Sequence, residues 1–209
     1  MRKSAPRASA TGPRRVGLFG GAFDPPHRAH RALAIAAARQ LDLDVLYIVP
    51  TGEAWHRPQV LAPGDQRFAM SRLAFSGVPR SLVDGRELRR HGPSYSIDTL
   101  RELQAEHPRA SLFLVIGEDQ AAGFARWHAW QDIAAMATVA VAGRPGAAED
   151  GLALLRALPG VRVHALDLPA MPESATDIRT SLAAGQEVTP LVGAAVASYI
   201  EQHHLYRTP

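Results

Sequence analysis

The sequence has no cysteine among its 209 residues, so it offers no disulfide bond and no thiolate metal site. It has no apolar run approaching the roughly 20 residues of a membrane-spanning helix, and no apolar segment that would mark a secretory signal. A P-loop lysine motif and a complete GxGxxG are also missing, which excludes the two commonest phosphate-binding fingerprints. The lack of cysteine fits a reducing compartment. We therefore expect a cytoplasmic protein with no membrane partner.

What is present is an ordinary globular composition, 46% hydrophobic and 21% charged, at a length typical of one domain. The net charge of +3 comes from residues 1–15, which carry five basic residues and no acid, so that the remainder is at −2. We predict a disordered basic tail over 1–15 and one folded domain over 16–209. Contacts of the tail with nucleic acid or anionic lipid, or a targeting role, stay open, although no nucleic-acid partner is expected.

Strand and helix patterns alternate along the first two thirds of the chain, which predicts an α/β fold. The expected architecture is a single-domain, doubly wound (Rossmann-like) parallel sheet with helices on both faces. Predicted strands lie at 16–19, 44–49, 111–116 and 138–142, with weaker candidates at 81–83 and 86–89. Predicted helices lie at 28–41, 65–75, 96–107 and 177–184, with a broken helical segment at 127–135.

Polar or glycine-bearing motifs follow four of the predicted strands directly. In a doubly wound sheet the carboxyl ends of the strands border the ligand crevice, so these motifs should converge on one site. They begin at Gly20, Thr51, Gly117 and Gly143 and read GGAFDPPH, TGEAWHRP, GEDQ and GRPG. We therefore predict one ligand site at this edge of the sheet.

The first of these motifs combines a glycine pair with a histidine pair. Gly20 and Gly21 follow an apolar run, and we predict that the strand breaks into a turn at this pair. Because glycine has no Cβ, the backbone there can approach an anion closely. His27 and His30 are three residues apart, which places both on one face at the start of the predicted helix. This arrangement is suited to neutralising phosphate charge.

A second helix start near residue 174 has a similar character. Ser174 or Thr176 is predicted to cap the helix, and Arg179 lies in its first turns. Hydroxyl groups, backbone N–H groups and a guanidinium at a helix start together favour an anion. A plain capped helix is the alternative interpretation of this segment by itself.

These two segments carry a family resemblance. GGAFDPPHRAH resembles the GGxFDPxHxGH signature of the nucleotidyltransferase superfamily, with Ala29 in place of the usual glycine. SATDIR resembles that superfamily's second signature, ISSTxIR, with Glu173 in place of isoleucine and Ala175 in place of the second serine. The order of GGAFDPPHRAH, HRP, PSYSIDTL, IGEDQ…RWHAW, GRPG and SATDIR is similar to that in bacterial nicotinate-nucleotide adenylyltransferases, from Val16 to Tyr206.

The resemblance implies a reaction of ATP with nicotinate mononucleotide, giving deamido-NAD and pyrophosphate. It implies Mg²⁺ bound to the ATP phosphates, with no metal site built from side chains. Catalytic roles fall on His27, His30 and Arg179. ATP contacts are expected from these three together with Gly20, Gly21, Phe23, Asp119, Arg144, Ser174 and Thr176. Mononucleotide contacts are expected from Gly21, His56, Arg57, Tyr95, Ser96 and Trp127.

Two other functions stay open from the sequence. One is a related nucleotidyltransferase that uses nicotinamide mononucleotide or pantetheine phosphate as the acceptor. The other is a non-catalytic protein that binds a nucleotide, or binds nucleic acid through the basic tail. The oligomeric state is also open, and a homo-oligomer is compatible with the sequence.

Overall fold

The computed structural model describes residues 14–53, 62–143, 151–169, 171 and 173–206. Its strands form one six-stranded parallel sheet in the order β3-β2-β1-β4-β5-β6, which confirms the predicted doubly wound architecture. The strands are β1 (Arg15–Gly21), β2 (Val45–Pro50), β3 (Ser81–Val83), β4 (Ser111–Ile116), β5 (Ala137–Gly143) and β6 (Val163–Asp167).

Helices connect the strands and cover both faces of the sheet. They are α1 (Arg28–Gln40), α2 (Gly64–Ala74), α3 (Ser96–Glu106), α4 (Glu118–Ala122), α5 (Trp130–Met136), α6 (Gly151–Ala157), α7 (Ala175–Ala183), α8 (Thr189–Val192) and α9 (Ala194–Gln202). The strand and helix patterns of the sequence did not predict α4, α6, β6, α8 or α9. Within the described ranges, no helix is long and apolar enough to cross a membrane.

Two apolar layers hold the helices against the sheet. Alternate residues of a strand face opposite sides, and β1 shows this directly. Val16 and Leu18 pack into the layer formed with α3, α4, α5 and α6. Phe19 packs into the other layer, formed with α1, α2, α7, α8 and α9. The central strand is therefore covered on both sides, which is the usual state of a parallel sheet.

The strand β1 is longer than predicted at both ends. It begins at Arg15, whose Nε donates to the Leu41 carbonyl at 2.7 Å, so this residue belongs to the sheet and not to the tail. At its other end the glycine pair continues the strand, with Gly20 opposite Val49 and Gly21 opposite Pro50 in β2. The prediction that the strand breaks at the glycines was wrong, because both residues keep the parallel pairing. The turn follows at residues 22–27.

Two other predicted elements differ from the structure. The strand candidate at 86–89 is a 3₁₀ turn over Glu87–Arg89, because the Asp84 carboxylate accepts the Arg86 backbone N–H at 2.8 Å and bends the chain. The broken helix predicted at 127–135 is a 3₁₀ turn over Phe124–Arg126 followed by α5.

Candidate active site

The site lies where the sheet order reverses, between β1 and β4. The chain passes outward from β1 through β2 to β3, and outward from β4 through β5 to β6, so a crevice opens at the carboxyl ends of the two central strands. The β1–α1 turn and the start of α4 both border this crevice. The predicted convergence of motifs on this edge agrees with the strand order.

His27 caps the N-terminus of α1 and is only 6% exposed. Its ring lies against that of His30, with ring centroids 3.7 Å apart. Burial lowers the pKa of His27 from 6.5 to about 4, and the negative charge of Glu173 opposes part of this shift. The imidazole of His27 is therefore neutral near pH 7 when no ligand is bound.

His30 is held on two sides. Its Nδ1 accepts the backbone N–H of His27 at 3.3 Å, and its ring meets the Phe23 ring edge-on at 5.2 Å. Phe23 is 1% exposed and has a left-handed backbone, with φ of 49°. A Cβ on Gly21 would lie 3.0 Å from this phenyl ring, so the glycine makes room for it. The Phe23 ring thus supports His30, and only the Phe23 backbone remains a candidate for the predicted ATP contact.

The start of α7 bears out the predicted cap. Ser174 Oγ accepts the backbone N–H of Asp177 at 3.1 Å, and the helix begins at Ala175, two residues earlier than predicted. The Ser174 hydroxyl also donates to Asp177 Oδ2 at 2.7 Å. Thr176 is exposed, and its hydroxyl accepts from Arg179 at 3.3 Å. Of the two hydroxyl groups, that of Thr176 is the better placed for a ligand.

Arg179 joins the two signature segments directly. Its Nη1 donates to the backbone carbonyl of Asp24 at 2.8 Å, across 155 residues of sequence. The same nitrogen lies 4.0 Å from Asp24 Oδ2. The structure therefore brings Arg179 to the turn that carries His27 and His30, as the sequence predicted.

Sequence reasoning missed two residues that hold this turn. The Tyr206 hydroxyl donates to Asp24 Oδ1 at 2.6 Å. Arg67, only 4% exposed, donates to the carbonyls of Ala22 and Thr51 at 2.9 and 2.7 Å. Arg67 lies in none of the motifs that carry the family resemblance, and Tyr206 is only the last residue of the range over which that resemblance extends. Many related sequences could show that an aromatic or a basic residue is preferred at these two positions. A single sequence cannot show such a preference.

The start of α3 forms the other side of the crevice. Tyr95 is its N-cap and Ser96 its first residue, as predicted. The Tyr95 ring stacks on His128 at 4.2 Å with a 32° tilt, a contact that the sequence did not predict. Trp127 is half-buried and lies 5.6 Å from the Phe124 ring, so part of its indole remains accessible. These aromatic groups together suit a planar ring.

The loop after β2 packs tightly against the segment that precedes α3. A Cβ on Gly52 would overlap the Glu87 carbonyl oxygen, so no larger residue fits there without a shift of the backbone. The Ser94 N–H donates to the Glu53 carbonyl at 2.9 Å. Ser94 Oγ is buried and has no hydrogen-bond partner among the residues that the structure describes. A polar atom in this position can accept or donate a bond to a ligand.

Ion pairs fix this segment to α3. The Arg86 guanidinium, whose side chain is 11% exposed, contacts Asp84 at 2.6 Å and Glu106 at 3.0 Å. Glu87 is buried, which raises the pKa of its carboxyl group, and it accepts the Thr99 hydroxyl at 2.7 Å. The Glu87–Thr99 bond thus joins this segment to the first turn of α3, and the Arg86–Glu106 pair joins it to the last residue of that helix.

The remaining predicted site residues are placed as follows. Asp119 lies in the first turn of α4, directly after β4, and accepts the side-chain amide of Gln120 at 3.1 Å. His56, Arg57 and Arg144 lie outside the described residues.

The sheet order, the stacked pair of His27 and His30 and the arginine bonded to the preceding turn are features of an α/β nucleotidyltransferase. The sequence matches the cytidylyltransferase-like family over residues 18–181. It is 50% identical to a protein of Albidiferax ferrireducens over 93% of this chain and 99% of the relative, and 43% identical to one of Methylibium petroleiphilum over 96% of each. Both relatives are named "Probable nicotinate-nucleotide adenylyltransferase". The chain belongs to the nicotinate-nucleotide adenylyltransferase family.

A solved structure shows the same fold. The Plasmodium falciparum nicotinic acid mononucleotide adenylyltransferase complexed with NaAD superposes with a TM-score of 0.75. It is 16% identical in sequence and covers 92% of this chain and 97% of the parasite chain. At that identity the likeness concerns the architecture alone.

Proposed function

We propose that the protein transfers the AMP group of ATP to nicotinate mononucleotide, a step of NAD biosynthesis that gives deamido-NAD and pyrophosphate. One observation carries this proposal. Arg179 donates to the Asp24 carbonyl in the turn that follows β1, and the stacked pair of His27 and His30 follows directly at the start of α1. The names of the relatives at 50% and 43% identity support the same substrates.

The reaction is a single displacement at phosphorus. An oxygen of the mononucleotide 5′-phosphate forms a bond to the α-phosphorus of ATP, and the bond from that phosphorus to the bridging oxygen of pyrophosphate breaks. No nucleophilic side chain is needed, so catalysis rests on positioning and on stabilising negative charge. His27 and His30 contact the triphosphate, and His30 stabilises the charge on the α-phosphoryl group.

Bound ATP makes the surroundings of His27 more negative. A negative charge next to an imidazole raises its pKa, so the triphosphate favours protonation of His27 in the complex. Without ligand the same residue stays uncharged because it is buried. Bound triphosphate therefore raises the pKa of His27 from its lowered value.

Arg179 and Thr176 hold the leaving pyrophosphate, with Ser174 and Arg144 assisting. The start of α7 adds backbone N–H groups and the positive end of the helix dipole. Because the Ser174 hydroxyl already donates to Asp177, this serine assists best through the backbone near the cap. The ribose hydroxyls of ATP are assigned to Asp119.

The mononucleotide lies on the α3 side of the crevice. Trp127 stacks on the pyridine ring, and the Tyr95–Ser96 junction presents backbone N–H groups to the nicotinate carboxylate. A carboxylate accepts hydrogen bonds only, whereas an amide also donates, so N–H groups favour the acid. His56 and Arg57 are assigned to the mononucleotide phosphate, with Gly20 and Gly21 leaving space at the end of β1.

Mg²⁺ fits this site as an ion carried by the ATP phosphates. Among the described residues no three histidine, aspartate or glutamate side chains are grouped to hold a metal. Glu173 Oε2 is buried without a partner among those residues and could supply one oxygen. When bound, the ion would neutralise phosphate charge.

The reducing compartment inferred from the lack of cysteine makes the cytoplasm the proposed location.

The deciding experiment is pyrophosphate release with ATP and Mg²⁺ and one of three acceptors. Nicotinate mononucleotide, nicotinamide mononucleotide and pantetheine phosphate are tested in parallel. We expect a strong preference for the nicotinate form. Equal rates with both pyridine nucleotides would contradict the proposed preference for the nicotinate form. The proposed transfer of the AMP group from ATP would still stand. Activity with pantetheine phosphate alone would overturn the acceptor assignment.

A further inference from the structure

The carboxylate of Asp24 is the most buried charge near the phosphate site. The residue is 1% exposed and lies in the turn between β1 and α1. Its Oδ1 accepts two hydrogen bonds, from the Tyr206 hydroxyl at 2.6 Å and from the Ala62 backbone N–H at 3.2 Å. The first of these has the short length typical of a hydroxyl bonded to a charged oxygen.

Two guanidinium groups lie close to this carboxylate, and they differ in how deeply they are buried. Arg67 is buried and donates to three backbone carbonyls, those of Ala22, Thr51 and Ala62. These bonds fix its direction. Arg179 is less buried, with 21% of its side chain exposed, and its Nη1 lies 4.0 Å from Asp24 Oδ2. Of these two cations, Arg179 is therefore the one that a reoriented Asp24 carboxylate would attract.

We propose that Tyr206 is a positioning residue of the active site, whose hydroxyl holds the Asp24 carboxylate so that Arg179 stays directed at the phosphate groups of the substrate. Without this hydroxyl, Oδ1 loses its strongest donor. A buried carboxylate that lacks a donor costs free energy, so it turns toward Arg179, whose Nη1 is 4.0 Å from Oδ2 and already donates to the Asp24 backbone carbonyl. Arg179 then pairs with the Asp24 carboxylate at a shorter distance than the present 4.0 Å, and less of its charge is offered to pyrophosphate. The inference rests on the proposed function of Arg179.

The backbone around Tyr206 supports a specific role. Tyr206 has a φ of 62° and His204 a φ of 52°, both in the left-handed region that ordinary residues seldom adopt. The Leu205 N–H donates to the Ile200 carbonyl at 3.0 Å and holds this turn to α9. Unfavourable backbone angles persist where the surrounding contacts require them. Here they bring the phenol across 182 residues of sequence to Asp24.

The Tyr206 hydroxyl is uncharged, so it keeps the proton that it donates to Asp24. Burial and the negative charge of Asp24 both raise the pKa of Tyr206, so its hydroxyl stays protonated at any pH at which the protein is assayed. The bond to Asp24 is thus present throughout the working range.

The test compares Tyr206→Phe with Tyr199→Phe. Tyr199 is a matched control, because its hydroxyl also makes a 2.6 Å bond, to Gln66 Oε1, from the same C-terminal part of the chain. Both variants lose one hydroxyl group, and only Tyr206→Phe affects Asp24. The measurements are kcat and KM for each substrate, and binding of pyrophosphate alone by calorimetry, well below both unfolding temperatures.

We expect Tyr206→Phe to lower kcat about tenfold and to weaken pyrophosphate binding by a similar factor, since bonds to charged groups have effects of this size. The KM for the mononucleotide should stay within about twofold of wild type. Tyr199→Phe should leave all of these values within about twofold. Unchanged pyrophosphate affinity and kcat in Tyr206→Phe, or equal losses in both variants, would overturn the proposal.

The pyrophosphate measurement separates this inference from the proposed function. It needs no acceptor, so it remains informative if the true acceptor is not nicotinate mononucleotide. Wild-type protein that binds pyrophosphate but does not use that acceptor would contradict the substrate assignment alone. The comparison of the two variants would still decide the role of Tyr206.

Discussion

His27 and His30 are three residues apart, yet the fold treats their rings differently. His27 is buried at the start of α1, and its pKa lies at about 4. His30 meets the edge of Phe23 and accepts a backbone bond. The sequence predicted that both residues share one face of a helix. It did not predict which of them would be neutral, because burial depends on the packing of distant segments.

Replacing His30 with alanine should reduce kcat by at least about a hundredfold, the usual effect of removing a group that stabilises transition-state charge. The fold should persist, because the lost hydrogen bond contributes only about 1 kcal/mol. Steady-state kinetics and thermal unfolding measure the two effects. His164→Ala, an exposed position on β6, serves as the control. Turnover near the wild-type value would refute the role of His30.

His27 should make the protein less stable in acid. Its pKa is about 4 in the folded protein and returns to the ordinary value of 6.5 once unfolding exposes the ring to water, so the unfolded chain binds more protons between these values. Lowering the pH from 7 to 4 should therefore reduce the free energy of unfolding by about 3 kcal/mol through this residue. Urea unfolding of wild type and His27→Asn at several pH values measures this. The same pH dependence in both proteins would contradict the assignment.

At the scale of elements, ion pairs of different exposure stabilise the segment that precedes α3. Arg86 is surrounded by Asp84 and Glu106 with little exposure, whereas Arg89 contacts Asp84 at 3.6 Å with 73% of its side chain exposed. The sequence predicted a weak strand here. That prediction failed because the Asp84 carboxylate binds the backbone two residues further on, and this Asx-type bond ends the extended conformation.

Arg86→Ala should lower the free energy of unfolding by on the order of 3 kcal/mol, because it leaves Asp84 without its closest cation. Arg89→Ala removes the same kind of side chain from an exposed pair and should change the stability by less than about 1 kcal/mol. Chemical denaturation of both variants tests the difference. Equal losses would mean that exposure does not decide the strength of these pairs.

The turn between the 3₁₀ segment and α5 carries the predicted ring contact. Trp127→Ala should raise the KM for the mononucleotide by about tenfold and leave the KM for ATP nearly unchanged, since stacking on one ring contributes about 1 kcal/mol or more. Trp130→Ala is the comparison, because Trp130 packs on Phe124 as well. Equal changes in both KM values for Trp127→Ala would show that this residue serves packing alone.

For the whole molecule, alternation of strand and helix patterns was enough to predict the parallel sheet and the edge that carries the site. The predicted end of β1 was wrong, because Gly20 and Gly21 continue the strand and also lie directly before the turn. Contacts of Arg67 and Tyr206 with the β1–α1 turn could not be predicted. They join segments with no shared periodicity, and only the completed packing brings them together.

Removal of residues 1–13 should leave kcat and stability within about twofold and about 0.5 kcal/mol of the full chain. The first strand is anchored after this segment, because Asp44 accepts the N–H groups of Arg14 and Arg15 at 2.7 and 2.9 Å. The alternative of nucleic-acid binding predicts instead a salt-dependent affinity for RNA or DNA that the deletion abolishes. Electrophoretic mobility shifts at two salt concentrations distinguish the two outcomes.

The bond between Asp24 and Tyr206 also bears on how the protein is made. Translation adds Asp24 182 residues before the phenol that bonds to its carboxylate. A nascent chain can therefore assemble its whole sheet on the ribosome and still lack part of its site. We expect a chain that ends shortly after α9 to lack the Asp24–Tyr206 bond, and therefore to bind pyrophosphate less tightly than a chain that includes Tyr206.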